Sequence, residues 1–406
     1  MSHFYNVKIM IPYRTEKIGF FRKIFRFYFP GLSLPGTIYL FLIAGLAMGC
    51  DFKLPSPPPK LFYKFNVLDV GQGPSYLVSK DLNLDGAIDI ISANSKGNTI
   101  TLLYGRGDGT FLSPVHINTY REPSALAVDD INRDGILDII LNSRGDNYFL
   151  VLLGKGNNRF FPVRRYPTGR VPLYVIVDDY NNDGNLDVAV SLTFAKLEIY
   201  LGVGDGSFKK GDTLQMRTRS FSGISGDFNN DGNQDIALAG SSSNSSSIMI
   251  YNGLGDGSFR APYSIAEGLR PLTLIKTDMN SDQIDDLMIA SASGDILYML
   301  FGNGDGSFKK AISFSGGGGP ISMTTGHFNE DKLLDVAVAN SRSSSFSIVI
   351  RKPDGLFKYP TRDYVTGGTP IAITSGDYND DGLTDIAVAS NADNTVEIFL
   401  QRRVFK

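Results

Sequence analysis

Asp130-Ile131-Asn132-Arg133-Asp134-Gly135-Ile136-Leu137-Asp138 is the stretch on which the reading of this chain turns. It sets side-chain oxygens at its first, third, fifth and ninth positions and a glycine at its sixth, where a sharp turn favours a residue free to take positive φ. The same nine-residue frame, intact or worn, starts again at Asp81, Asp179, Asp227, Asp278, His327 and Asp377, at intervals of 48 to 51 residues. A period that regular means an array of like units.

Short oxygen-rich loops suit a hard divalent cation. Calcium takes about 6 to 8 oxygens at roughly 2.3 to 2.6 Å and tolerates irregular geometry, whereas magnesium demands a near-ideal octahedron. The candidate ligands are Asp81, Asn83, Asp85 and Asp89 in the first copy and Asp130, Asn132, Asp134 and Asp138 in the second. Asp179, Asn181, Asp183 and Asp187 form the third set, and Asp227, Asn229, Asp231 and Asp235 the fourth. Asp377, Asn379, Asp381 and Asp385 complete the intact copies. The copy with Asp278, Asn280, Asp282 and Asp286 carries Gln283 in place of glycine, at a cost on the order of 1 kcal/mol if φ is positive there, and should bind more weakly. The copy from His327 has Lys332 at its sixth position, keeps only Asn329, Asp331 and Asp335, and should bind no calcium. The expected cofactor is therefore Ca2+ at five sites with a weaker sixth, the seventh-position carbonyl and water supplying the remaining oxygens. The same residues also make ordinary turns between strands. Three like charges within nine residues, repeated in phase, favour the cation, because nothing else would offset their repulsion.

No Glu stands at the twelfth position and no helical period follows, which separates these loops from EF-hands. Short β-rich runs follow instead, such as Ile90-Ile91-Ser92-Ala93 and Val188-Ala189-Val190-Ser191, and their small residues predict that they are the innermost strands, where units crowd together. A second turn recurs between the loops: Gly105 to Phe111, Gly202 to Phe208, Gly253 to Phe259 and Gly302 to Phe308, with worn versions at Gly154 to Phe160 and Lys352 to Phe357. Asp-Gly between apolar strands is a hairpin signal. A proline precedes six of the seven loops by seven residues, and only Ser220 departs. Four short strands per unit and seven units predict an all-β, seven-bladed β-propeller with calcium-binding loops. The last repeat lacks its outermost segment, whereas Leu61 to Val70 precedes the first loop as a segment without a unit. The ring should therefore be closed by the N-terminal strand, which removes a free sheet edge.

Taken together, the proline, the Asp-x-Asn-x-Asp-Gly-x-x-Asp loop and the Gly-x-Gly-Asp-Gly-Ser/Thr-Phe turn resemble the FG-GAP or VCBS-type repeat, the unit of the integrin α-subunit head propeller and of many bacterial surface proteins. The resemblance runs from about Leu61 to the C-terminus and implies fold and calcium. For function it implies only a range: adhesion, sugar binding, assembly and occasional catalysis.

Residues 1–49 read as a leader. Arg14, Lys17, Arg22, Lys23 and Arg26 precede the apolar run Ile38 to Gly49, which is too short to cross about 30 Å of hydrocarbon and suits a signal segment. Leu46-Ala47-Met48-Gly49-Cys50 resembles a bacterial lipobox, implying cleavage before Cys50 and lipidation of the only cysteine. The alternative is an uncleaved anchor, with the hydrophobic stretch reaching back to Leu32. Residues 50–60 then form a Pro-rich spacer, and residues 61–406 the propeller. This places the protein outside the cytoplasm and attached to a membrane by a lipid or by its N-terminal segment.

A net charge of −3 without a basic domain argues against nucleic acid. Three histidines in unrelated places and no nucleophile elbow, zinc spacing or phosphate loop give no catalytic set. The expected function is a non-catalytic binding, adhesion or assembly module for a protein or polysaccharide ligand. A polysaccharide-acting lyase or dehydratase on the same propeller is the alternative. Zero tryptophan weakens a sugar platform, although 19 tyrosines could supply one. The triplets Arg106-Gly107-Asp108 and Arg144-Gly145-Asp146 read as chance occurrences in turns.

Overall fold

A computed structural model describes residues 60–403 apart from 242–245, 292, 293, 330 and 359–361. The leader, Cys50 and the expectations attached to them lie outside the described residues. Among the described residues no helix forms, and so none is long and apolar enough to cross a membrane. Seven four-stranded antiparallel sheets follow one another in sequence. The first blade holds Pro74–Lys80, Asp89–Asn94, Thr99–Leu103 and Val115–Asn118, and the next five repeat this order.

The first strand of every blade lies innermost, since each packs against its counterparts in the blades before and after. The marker proline is its first residue, where a missing N–H costs no ladder bond, and the register shifts just beyond it, as between Pro74 and Tyr76. The small-residue runs after the loops are the second strands, which corrects the expectation that they line the axis. Asp89–Asn94, Asp138–Ser143 and Asp385–Ser390 are buried throughout, whereas Pro74–Lys80 is only partly covered. The physical reason is coverage: second strands have strands on both edges and blades on both faces, while the first strands leave one side to a central channel of about 760 Å³.

Seven apolar clusters fill the seven spaces between neighbouring blades. The expected closure is present. Phe62–Asp69 forms the outer strand of the last blade against Thr395–Gln401, paired from Phe62 with Gln401 to Asp69 with Thr395 across a one-residue bulge between Lys64 and Asn66. Connections from the first to the second strand and from the third to the fourth therefore share one face of the ring, here the loop face. The remaining connections form the opposite, turn face.

Candidate metal centre

Each nine-residue loop joins a first strand to a second on the loop face. In the copy from Asp130, the Asp134 N–H donates to Asp130 Oδ1 (3.1 Å) and Asn132 Oδ1 (3.2 Å), the Gly135 N–H donates to Asp130 Oδ2 (2.9 Å), and the Ile136 N–H donates to Asp134 Oδ1 (2.8 Å). The side chains at positions 1 and 3 thus share the Asp134 amide, and Asn132 Nδ2 donates to Asp134 Oδ2 (2.9 Å), which joins position 5 to them. The copies from Asp81, Asp227 and Asp278 repeat this pattern. The sixth position has positive φ in all seven loops, including Gln283 at 68° and Lys332 at 62°. The fourth does so too at Leu84, Arg133, Asn182, Asn230, Ser281 and Asp380, a second left-handed turn that the sequence reading missed because no glycine marks it.

The ninth-position aspartate behaves differently. Asp138 is fully buried and accepts two backbone N–H bonds, from Ile131 at 2.9 Å and from Gly154 at 2.6 Å. Gly154 opens the hairpin between the third and fourth strands, so this carboxylate ties loop to hairpin. Asp89, Asp187, Asp235, Asp286 and Asp385 make the same pair of bonds. Gly105, at the hairpin position bonded to Asp89, has no room for a side chain: a Cβ would stand 2.4 Å from the Ile88 carbonyl oxygen. Burial outweighs these bonds and pushes the carboxyls up, to about 7 for Asp89, Asp335 and Asp385 and about 6 for Asp138, Asp187, Asp235 and Asp286, with the other loop carboxylates adding to the rise.

The structure therefore brings positions 1, 3 and 5 together and gives position 9 a latch. Among the described residues no three His, Cys, Asp or Glu side chains gather at metal-ligating distance. The donor chemistry of positions 1, 3 and 5 still suits calcium. Asp179 Oδ1 and Asn379 Oδ1 are buried in their loops with no hydrogen-bond partner, the condition of an oxygen awaiting a cation. A position-9 carboxylate that accepts two bonds also keeps lone pairs free. The copy from His327 is built otherwise: Asn329 turns its amide onto Asp335 (2.9 Å) and His327 Nδ1 meets the Leu333 carbonyl (3.1 Å).

The second-position side chain and the hairpin phenylalanine were not linked by the sequence reading. The hairpin of each blade reaches the loop of the blade before it. The Gly257 N–H donates to the Tyr180 carbonyl (3.0 Å), with Phe259 against the Tyr180 ring at 5.5 Å. Phe111 meets Tyr378 and Phe308 meets Phe228 in the same way. In both Arg-Gly-Asp triplets the aspartate accepts local hydrogen bonds. Asp108 Oδ1 is capped by Thr110, and Asp146 accepts from the Arg121 amide (2.7 Å) and Nε (2.8 Å).

The FG-GAP-like repeat model matches residues 81–141, 130–190, 179–237, 227–289, 278–338 and 327–388, each match running from one loop into the second strand of the next blade. The chain belongs to the FG-GAP-like repeat family. Two crystal structures of BBS1N in complex with ARL6DN, soaked with lead and with mercury, are similar to it at TM-score 0.60 and 11% identity, over 86% of this chain and 99% of theirs. An Agrocybe aegerita lectin, described for recognition of non-reducing terminal N-acetylglucosamine, is similar at TM-score 0.51 and 16% identity, over 80% of this chain and 95% of that one. At such identities the likeness shows the fold. No curated protein matches the chain. The FG-GAP-like propeller fits a binding or assembly module.

Proposed function

We propose that this FG-GAP-like propeller is a non-catalytic binding and assembly module for a protein partner, stiffened by calcium and held at a membrane outside the cytoplasm. The observation that carries the reading is the division of labour within the repeat. Loop aspartates, hairpin glycine and hairpin aromatic all serve the ring, while the connections between second and third strands, such as 95–98, 144–147 and 193–195, carry a different sequence in each blade. A rigid scaffold displaying varied turns is suited to recognition. The fold neighbour BBS1N is described in complex with ARL6DN, which supports a protein partner. The lipobox-like Leu46 to Cys50 supports the tether, and calcium at extracytoplasmic concentration supports loops of modest affinity.

Chemical cross-linking of the full chain in its native envelope, followed by reconstitution with the purified captured protein, tests the reading. A saturable complex of the two purified proteins is expected. Release of unsaturated oligosaccharides from polygalacturonate by the purified chain would replace the reading with the enzymatic one.

A further inference from the structure

The turn face over the third and fourth blades carries charge and apolar surface that the ring does not use. Arg170 lies over the Phe194 ring at 5.8 Å and Arg219 over the Phe221 ring at 5.3 Å, with the two rings 61% and 41% exposed. Backbone and side-chain bonds bring the segments together. The Thr193 N–H donates to the Val171 carbonyl (3.1 Å), the Met216 N–H to the Ala195 carbonyl (2.8 Å) and the Ser191 hydroxyl to the Ser220 carbonyl (2.9 Å). Arg217 follows Met216 in the same connection and donates through Nη1 to Ser264 Oγ (3.2 Å), so its exposed guanidinium marks the outer side of the patch. Residues 168–171, 193–196 and 216–221 contain no Asp or Glu. The carboxylate bonded to this patch, that of Glu198, which accepts from the Gly169 N–H, is buried and paired with Lys210 at 2.6 Å.

Phe221 also lines the channel, where Leu173, Leu272 and Ile321 hold the equivalent place in their blades. The mouth is therefore apolar from the third blade to the seventh, with Ser75 and Ser124 at the same place in the first two, and an apolar centre with Arg at its edge is the arrangement of a protein interface. A guanidinium lies over one face of the Phe194 ring and one face of the Phe221 ring, and takes that face from a stacking sugar. Stacked Arg instead offers its N–H edge to carboxylates in pairs.

We propose that the turn-face segments 168–171, 193–196 and 216–221, with the adjoining channel mouth, dock an acidic protein segment whose aliphatic side chains enter that mouth. This rests on the protein-binding reading and names the surface and the chemistry of the partner.

The test is fluorescence anisotropy of the full chain with a labelled peptide alternating Glu or Asp with Leu, with polygalacturonate as competitor. The expected result is saturable, salt-weakened binding that the double substitution Arg217→Glu and Arg219→Glu reduces at least about tenfold, the effect of losing roughly 1.4 kcal/mol of charge pairing. Lys155→Glu, the same charge reversal at a single site beside Phe161 in a loop-face hairpin, should leave binding unchanged, and both variants should melt like the parent. Absence of peptide binding, equal binding by the Arg double variant, equal loss in Lys155→Glu, or saturation by polygalacturonate in place of the peptide would each overturn the proposal. In any of those cases the binding-module reading stands, since it fails only if no purified protein complex reconstitutes.

Discussion

Asp138 and Asp134 sit four residues apart in one loop and do separate work. Asp138 satisfies two buried amides, whereas Asp134 is exposed and serves the candidate calcium cage. Orphaning a buried amide costs about 1 to 3 kcal/mol. With calcium chelated, Asp138→Ala should therefore destabilise the ring by about 2 to 5 kcal/mol and Asp134→Ala by under about 1 kcal/mol, read as denaturant midpoints. Equal losses would refute the latch. The raised carboxyls add a pH prediction. An unfolded Asp titrates near 3.9, so between about 4 and 7 the folded metal-free chain holds more protons than the unfolded one, and stability falls as pH rises through that window. Metal-free protein should melt higher at about pH 5 than at about pH 8, and saturating calcium should shrink or invert the difference. At this scale the places of the loops were legible in the sequence but the latch was not. An aspartate in a turn motif looks alike whether its oxygens face an ion or an amide.

The element that best repays comparison with the sequence is the closing strand. In the first blade Gly105 bonds to Asp89 and bridges to Phe111. In the last blade Gln401 bonds to Asp385 and pairs with Phe62, so the hairpin signature is restored by residues from opposite ends of the chain. Phe62 then fills the place of the hairpin phenylalanine, against Phe328 at 5.8 Å, Phe346 at 6.1 Å and Tyr364 at 5.6 Å. Phe62→Ala should cost about 3 to 5 kcal/mol, whereas Phe65→Ala, exposed on the same strand, should cost under about 1 kcal/mol, measured by thermal or denaturant unfolding. Closure was legible because a missing segment and a spare one have matching patterns. Assignment of the innermost strand was not, since Ala and Ser suit any place where blades approach, and only the full ring distinguishes a channel wall from a covered interior.

For the whole molecule, linkage sets the scale of the proposed calcium effect: each site contributes about 1.4 kcal/mol when free calcium is tenfold above its dissociation constant. Chelation should lower the melting temperature of the full chain markedly. In equilibrium dialysis Asp134→Ala should remove one bound ion and His327→Ala none. An unchanged melt on chelation would count against the metal. The number of blades and their order were readable from the repeat period, because blade packing imposes one spacing on every copy. The proposed docking face was not, because turn residues follow no period and become a patch only when the ring sets three of them side by side.

The pairing of Phe62–Asp69 with Thr395–Gln401 also has a temporal meaning. During synthesis the first strand of the ring emerges more than three hundred residues before its partner, so it must wait unpaired while six blades assemble. Any factor that shields this waiting strand, or any cut that frees it, would govern whether a finished ring forms at all.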